Sequence, residues 1–214
     1  MKNRKKGKLT ISAKISAITI IILSAFSSVW LLSNAFSKNK LPVLGEPGHI
    51  AGSFSFINQD GKLVNEKTVE HKIILVEYFF TSCPSICPKM NENIKEVYYK
   101  FKLDTGFMIL SHTVDPERDS VTVLKKYAQK YDASTPGWEF LTGDKDALYK
   151  SAFRDYLLAA ADSGRSSFIH TQYVALLDRQ RRIRGFYDCT SKESVLKLES
   201  DIKTLLKDDS NDQE

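Results

Sequence analysis

Acidic residues are missing from the first 45 positions of the chain. Lys2, Arg4, Lys5, Lys6, Lys8 and Lys14 stand there unopposed, so the formal charge of +5 falls to −1 once these six are set aside. A nucleic-acid binder needs its basic face on the folded part; here the basic excess is a leader, which excludes that class. Charge of either sign is then absent from "ISAITIIILSAFSSVWLLSNAFS", residues 15–37. A run of about 20 uncharged, mostly apolar residues is long enough to cross a bilayer as a helix, and the basic flank predicts its N-terminal end inside and the rest of the chain outside. A cleaved signal segment is the alternative, with Ser33-Asn34-Ala35 as a loose cleavage match, but apolar cores of such segments run only about 7–15 residues. Either way the globular part is exported. Internal repeats are also lacking, and 42% apolar with 27% charged residues is the composition of a folded globular chain.

Cysteine is scarce: Cys83, Cys87 and Cys189 are the whole set. Outside the cytoplasm such residues can persist as disulfides, and the odd count leaves at least one thiol unpaired within the monomer. With no second close pair, a four-ligand zinc ribbon is excluded. A permanent disulfide between Cys83 and Cys87 would close a tiny ring and constrain little of the unfolded chain. The motif is C-x-x-x-C, one residue longer than the C-x-x-C of thioredoxin-type enzymes. Those enzymes also place a proline before a late strand, whereas the last proline here is Pro136; a peroxiredoxin would carry threonine where Phe80 stands.

What is present around the pair is "FFTSCPSICPKM", residues 79–90. The apolar run "KIILVEYFF" predicts a buried strand before it, and Ile86, Met90, Ile94, Val97 and Phe101 predict a helix from Pro84 to about Phe101. Pro84 and Pro88 suit the first turn of that helix. Free N–H groups at its N-terminus favour thiolate, which is both nucleophile and soft-metal ligand. A redox pair and a metal clamp both remain open on these grounds.

The rest of the chain reads as alternating strands and helices. "GSFSFINQDGKLV" predicts a hairpin turning at Gln59-Asp60-Gly61; "FMILSHTV", "GWEFLTG", "QYVALLD" and "RIRGFYD" predict strands; helices follow "DPERDS", cover "DKDALYKSAFRDYLLAA", and open at Thr190, where Thr190 and Glu193 fit a capping box. This pattern predicts an α/β, thioredoxin-like fold: a central mixed sheet with flanking helices, preceded by one transmembrane helix. The expected organisation is a basic cytoplasmic leader (1–14), a transmembrane signal-anchor (15–37), a linker (38–51), the thioredoxin-like domain (52–206) and a disordered acidic tail (207–214).

In such a layer the loop before "QYVALLD" borders the cysteine junction, so His170 of "SFIHTQY" can face Cys83 and Cys87; a surface role is the plainer reading of a lone histidine. Two thiolates and an imidazole would suit Cu(I). His49 falls in the linker, His71 beside a turn, and His112 inside a strand as a packing residue.

Taken together, "YFFTSCPSICPKM", "VDPERDS", "GWEFLTG" and "FIHTQYVALLDRQRRIRGFYD" resemble the SCO/SenC family of membrane-anchored copper proteins of cytochrome c oxidase assembly, over about Gly52 to Leu206. The resemblance implies copper ligation by Cys83, Cys87 and His170, as Cu(I) with Cu(II) also open, on the extracytoplasmic (periplasmic) side of the membrane. It implies delivery of copper to, or reduction of, the dinuclear copper site of oxidase subunit II or a similar acceptor, and a thiol reductant as a further partner. The class expected is a metallochaperone, not an enzyme; the alternative is an exported thiol-disulfide oxidoreductase using the two cysteines alone. Asp115 has two readings: an acid at a helix start, or, by the resemblance, a residue beside the copper loop that orients the histidine or a partner. Cys189 departs from the family pattern, which commonly has a small residue after "YD"; it is expected to be an unliganded thiol at a helix start.

Overall fold

The structure is a computed structural model that describes residues 20–30, 40–158 and 171–208. It divides into an N-terminal unit ending at Lys40 and a domain beginning at Leu41. In the first unit residues 20–30 are helical (α1) with exposed side chains. The remainder of the expected anchor lies outside the described residues, and among the described residues no helix is long and apolar enough to cross a membrane.

The domain is a mixed α/β layer, and its first hairpin forms where the turn residues demanded it. β1 (Ser55–Asn58) and β2 (Leu63–Asn65) pair antiparallel. Gly61 takes φ 73° in their turn, a left-handed conformation that glycine adopts without steric cost. Asn58 Oδ1 accepts the N–H groups of Asp60 and Lys62, closing the turn from inside.

The centre of the sheet is β3 (Ile73–Phe79), β4 (Phe107–Thr113) and β5 (Trp138–Thr142), with β6 (Tyr173–Leu177) and β7 (Ile183–Asp188) completing the order β2-β1-β5-β4-β3-β6-β7. β3–β4 and β4–β5 are parallel, and every other pairing is antiparallel. All seven residues of β3 and of β4 are buried, as expected for strands covered on both faces.

Strand alternation sorts these side chains into two cores. Ile73, Leu75 and Phe79 face one layer with Phe107 and Ile109, where α2 (Ile86–Phe101), α3 (Val121–Lys130) and α5 (Lys192–Asp208) contribute Met90, Ile94, Leu124, Leu198 and Ile202. Ile74, Val76 and Tyr78 face the other with Met108 and Leu110, under Phe54, Phe56, Leu148 of α4 (Lys145–Lys150) and Tyr156. By the same alternation Glu77 and Ser111 belong to the α2 layer and His112 to the opposite one.

Four features differ from the sequence expectation. The segment from Leu41 is not a free linker: Leu44 N–H bonds Ile183 O at 2.8 Å, Ala51 N–H bonds Arg181 O at 3.0 Å, and Arg184 donates to the carbonyls of Leu41 and Pro42. Proline and glycine there shape a strap along β7, held by Arg184 of that strand and by Arg181, whose guanidinium also donates to Gly52 O at 3.1 Å. The helix expected over "DKDALYKSAFRDYLLAA" stops early, since α4 passes into one π-helical turn (Ser151–Asp155) and Leu157 adopts φ 54°, ending it. α5 is capped by Ser191, whose Oγ accepts Ser194 N–H, while Thr190 is held by Asp188 Oδ1; the capping box at Thr190 and Glu193 is thus displaced by one residue. α5 also runs through Asp208, two residues into the segment expected as tail.

Candidate metal centre

The buried strand β3 ends at Phe79, and the chain then turns through residues 80–85 into α2. Cys83 N–H bonds Phe80 O at 3.2 Å, a tight turn that aims the Cys83 side chain back at the first turn of the helix. There the N–H of Cys87 donates to Cys83 Sγ at 3.4 Å. Pro84 and Pro88 contribute no N–H of their own at a helix start, where first-turn donors lack carbonyl partners anyway. Both cysteines are buried, at 8% and 4% exposure, and both are free thiols.

The two thiols are electrostatically unequal. Burial pushes the Cys83 thiol up, but hydrogen bonds from the Cys87 thiol and from the N–H groups of Ser85, Cys87 and Ile86 outweigh it, leaving the pKa below the usual 9.0. Cys87 lies deeper, and burial together with the hydrogen bond it gives Cys83 pushes its pKa well above 9.0. Such a pair holds a proton between two sulfurs. It can exchange with disulfides through Cys83 or present two soft donors to a soft cation.

Beneath the pair lies a carboxyl group that the sequence reading passed over. Glu77, fully buried on the α2 side of β3, is pushed up to about 7 by burial, against a hydrogen bond from Ser111 that lowers it. Trp138 Nε1–H in turn donates to Ser111 Oγ at 2.7 Å, while Glu77 Oε2 has no hydrogen-bond partner among the described residues. An acid inside an otherwise apolar strand was the available signal.

Asp115 is buried at 7% exposure on a turn after β4. Its carbonyl accepts the N–H groups of Arg118 and Asp119 at 3.1 and 2.9 Å, and its carboxylate meets Arg118 Nε at 3.8 Å. It does not start a helix: α3 begins six residues later behind Ser120, whose Oγ accepts Val123 N–H, so that reading of Asp115 is corrected. Asp119 was also missed, although it takes three hydrogen bonds from the strand end and the cysteine loop.

His170 lies outside the described residues, and among the described residues no group of three or more His, Cys, Asp or Glu side chains converges on a metal position. The other histidines lie elsewhere: His49 Nε2 bonds Asp155 O at 3.0 Å, His71 is exposed with φ 59°, and His112 is enclosed by aromatic rings in the opposite core. Cys189 is fully buried in the same core as the pair, with burial pushing its thiol up, so it has no surface from which to pair between molecules.

The chain is similar to known proteins in sequence and in fold. The SCO1/SenC family matches residues 43–207. The SCO1 protein homolog of Bacillus subtilis is 29% identical over 154 residues, 71% of this chain and 80% of that protein. The structure of BsSco, a member of the Sco family of cytochrome c oxidase assembly proteins in which a disulfide switch was identified, superposes with TM-score 0.64 at 26% identity, over 78% of this chain and 96% of that one. Bradyrhizobium japonicum ScoI, solved with copper bound, superposes with TM-score 0.59 at 26% identity, over 73% and 99%.

Proposed function

The chain belongs to the SCO1/SenC family, and from that premise we propose that it is a membrane-anchored copper metallochaperone in which Cys83, Cys87 and His170 hold one copper ion destined for the dinuclear site of a cytochrome c oxidase. The observation that carries this reading is the sulfur pair itself, two thiols linked by one N–H and one thiol hydrogen bond at the start of α2, with Cys83 acidified and Cys87 not. The donor set fits a soft ion, and copper is what the related ScoI of Bradyrhizobium japonicum holds.

Topology supports the third ligand. β6 pairs antiparallel with β3, with Val76 opposite Ala175, so the chain enters β6 at the end of the sheet where β3 leads into the cysteine loop. His170 precedes β6 by three residues. The uncharged segment 15–37 behind a basic leader supplies the anchor and puts the domain on the extracytoplasmic side. The acceptor is oxidase subunit II or a protein with a similar thiolate-lined copper site.

The residues then act in a simple order. Neutral His170 and the two sulfurs bind once both thiols have lost their protons, so binding weakens as protons compete at acid pH. A partner's thiolates replace them one at a time, since three ligands leave a coordination position open. Oxidation of Cys83 and Cys87 to a disulfide withdraws two donors, and a thiol reductant restores them. A second reading, thiol-disulfide exchange with the partner as the main activity, rests on the same sulfurs and on the disulfide switch of BsSco.

Titration of the reduced, detergent-solubilised chain with Cu(I) against a chromophoric chelator tests the proposal. One ion per chain is expected, with loss of tight binding in Cys83→Ser and Cys87→Ser and a weakened site in His170→Ala. Parental affinity in His170→Ala would remove the imidazole from the ligand set and leave the exchange reading in possession of the dithiol.

A further inference from the structure

We propose that Asp119 is the positioning residue of the dithiol, clamping the cysteine loop so that the two sulfurs stay in register for disulfide closure and for metal capture alike. The clamp is made of one buried carboxylate. Asp119, 1% exposed, accepts the Thr81 N–H at Oδ2 (3.1 Å), the Thr81 hydroxyl at Oδ1 and the Thr113 hydroxyl at Oδ2. Thr113 Oγ1 also accepts the Asp115 N–H at 3.0 Å, and the Asp119 N–H bonds Asp115 O at 2.9 Å, so the carboxylate is fixed to the end of β4 from both sides.

Beyond the Val114 N–H to Phe79 O bond (2.8 Å) that joins the strand ends, these bonds tie the cysteine loop to the turn after β4. Thr81 lies two residues before Cys83, whose N–H bonds Phe80 O at 3.2 Å, while the Phe80 backbone also hydrogen-bonds the Cys87 sulfur. The far end of the cysteine loop is already fixed by α2. With Asp119 holding the near end, the loop has two fixed ends and Cys83 has little freedom to leave the N–H of Cys87. A carboxylate is the group for this work because its two oxygens offer about four acceptor positions, enough for three donors, whereas an alcohol or amide could not accept all three. Its charge is not left bare: it sits just before Ser120, the N-cap of α3, where the helix N-terminus favours an anion.

Disulfide closure and metal binding both need two sulfurs at one place, and preorganising them lowers the ordering cost of either. In closure the thiols of Cys83 and Cys87 lose two electrons and two protons, and glutathione disulfide takes them up as two glutathione thiols. The clamp therefore acts on an equilibrium that contains no metal. Its copper arm rests on the function proposed above; its redox arm does not.

The test compares the full chain with Asp119→Ala, Asp119→Asn and Thr81→Val. In glutathione buffers, with alkylation and mass measurement of the free thiols, Asp119→Ala is expected to lower the disulfide equilibrium constant about tenfold, and in the Cu(I) titration to weaken binding about tenfold, the lower end of the effect of residues that orient a ligand. Asp119→Asn recovers part of both, because its amide oxygen still accepts Thr81 N–H and the hydroxyls can reverse to accept from its amide. A folded Asp119→Ala whose disulfide constant stays within about twofold of the parent's overturns the proposal, whatever its melting temperature. Should Asp119→Ala fail to fold, Thr81→Val decides: it removes one hydroxyl donor, and must move the disulfide constant in the same direction or the proposal falls. A parent that binds no copper sinks the functional reading, not the clamp.

Discussion

The backbone N–H of Cys87 points at the sulfur of Cys83, 3.4 Å away, so the residue that would be the second sulfur donor is also a stabiliser of the first as an anion. This makes the pair chemically ordered. Cys83, acidified against its burial by the Cys87 thiol and then by the helix-start N–H groups, is expected to react first, and Cys87, deeper and pushed up by burial, second. With substoichiometric iodoacetamide at neutral pH, peptide mapping of the reduced chain should find Cys83 labelled at least about tenfold faster than Cys87. Equal labelling would mean that the N–H groups at the start of α2 do not act on Cys83.

Cys189 should behave as a core residue. It is fully buried, Asn93 Nδ2 bonds its carbonyl at 2.7 Å, and its thiol is pushed up by burial, then by the charges of Glu77 and Asp188. Cys189→Ser places an extra polar hydroxyl in that site and should cost about 1–3 kcal/mol in chemical denaturation, while copper stoichiometry and affinity stay at the parental values. A change in affinity would make Cys189 part of the metal site.

The legible parts of this molecule are those set by local pattern. The apolar run of β3, the helical spacing from Ile86 to Phe101 and the turn at Gly61 each carry their geometry in a few neighbouring residues, and the cysteine motif sits between two of them. What was illegible depends on partners far along the chain. Asp119 reads as one more acid before a helix until Thr81, 38 residues earlier, is seen to bond it. Glu77 reads as an interruption of an apolar strand until Ser111 and Trp138 arrive beside it. The strap from Leu41 looked like a linker because what holds it, Ile183 and Arg184, lies more than a hundred residues away. The mixed sheet and its helix layers match the expected fold class; residues 159–170, with His170 among them, lie outside the described residues.

Glu77 makes the domain less stable in alkali. Its carboxyl is raised from 4.5 to about 7 by burial, so the folded form favours the protonated acid. That stabilisation is present in full below pH 4.5 and is lost as pH rises to 7, where the unfolded chain carries the anion freely and the folded one does not. Glu77→Gln keeps the shape without the charge. Urea unfolding of the reduced, copper-free chain should give similar stabilities for parent and variant at pH 4, and at pH 8 a variant more stable by up to about 3 kcal/mol. A variant that is no more stable at pH 8 than at pH 4, relative to the parent, would show that Glu77 is charged in the fold.

On the opposite face of the sheet, His112 works in the other direction. Its ring lies against Phe56, Tyr78 and Tyr156 at centroid distances of 5.5, 5.0 and 5.4 Å, and burial holds its pKa down to about 3 from 6.5, against a smaller opposing effect of the backbone carbonyls of Glu77 and Leu110. The folded chain keeps the imidazole neutral while the unfolded chain protonates it, so its contribution is complete above pH 6.5 and is lost as pH falls towards 3. Between 4.5 and 6.5 this loss on acidification is offset by the gain from Glu77, whose window overlaps, so the effect of His112 is cleanest in the Glu77→Gln background. There, lowering the pH from 6.5 to 5 should cost about 2 kcal/mol of unfolding free energy. Adding His112→Phe, which fills the same aromatic enclosure without a titrating group, should abolish most of that slope. Parallel stability curves with and without His112 would mean that the backbone carbonyls of Glu77 and Leu110 offset the burial and let the imidazole protonate in the fold.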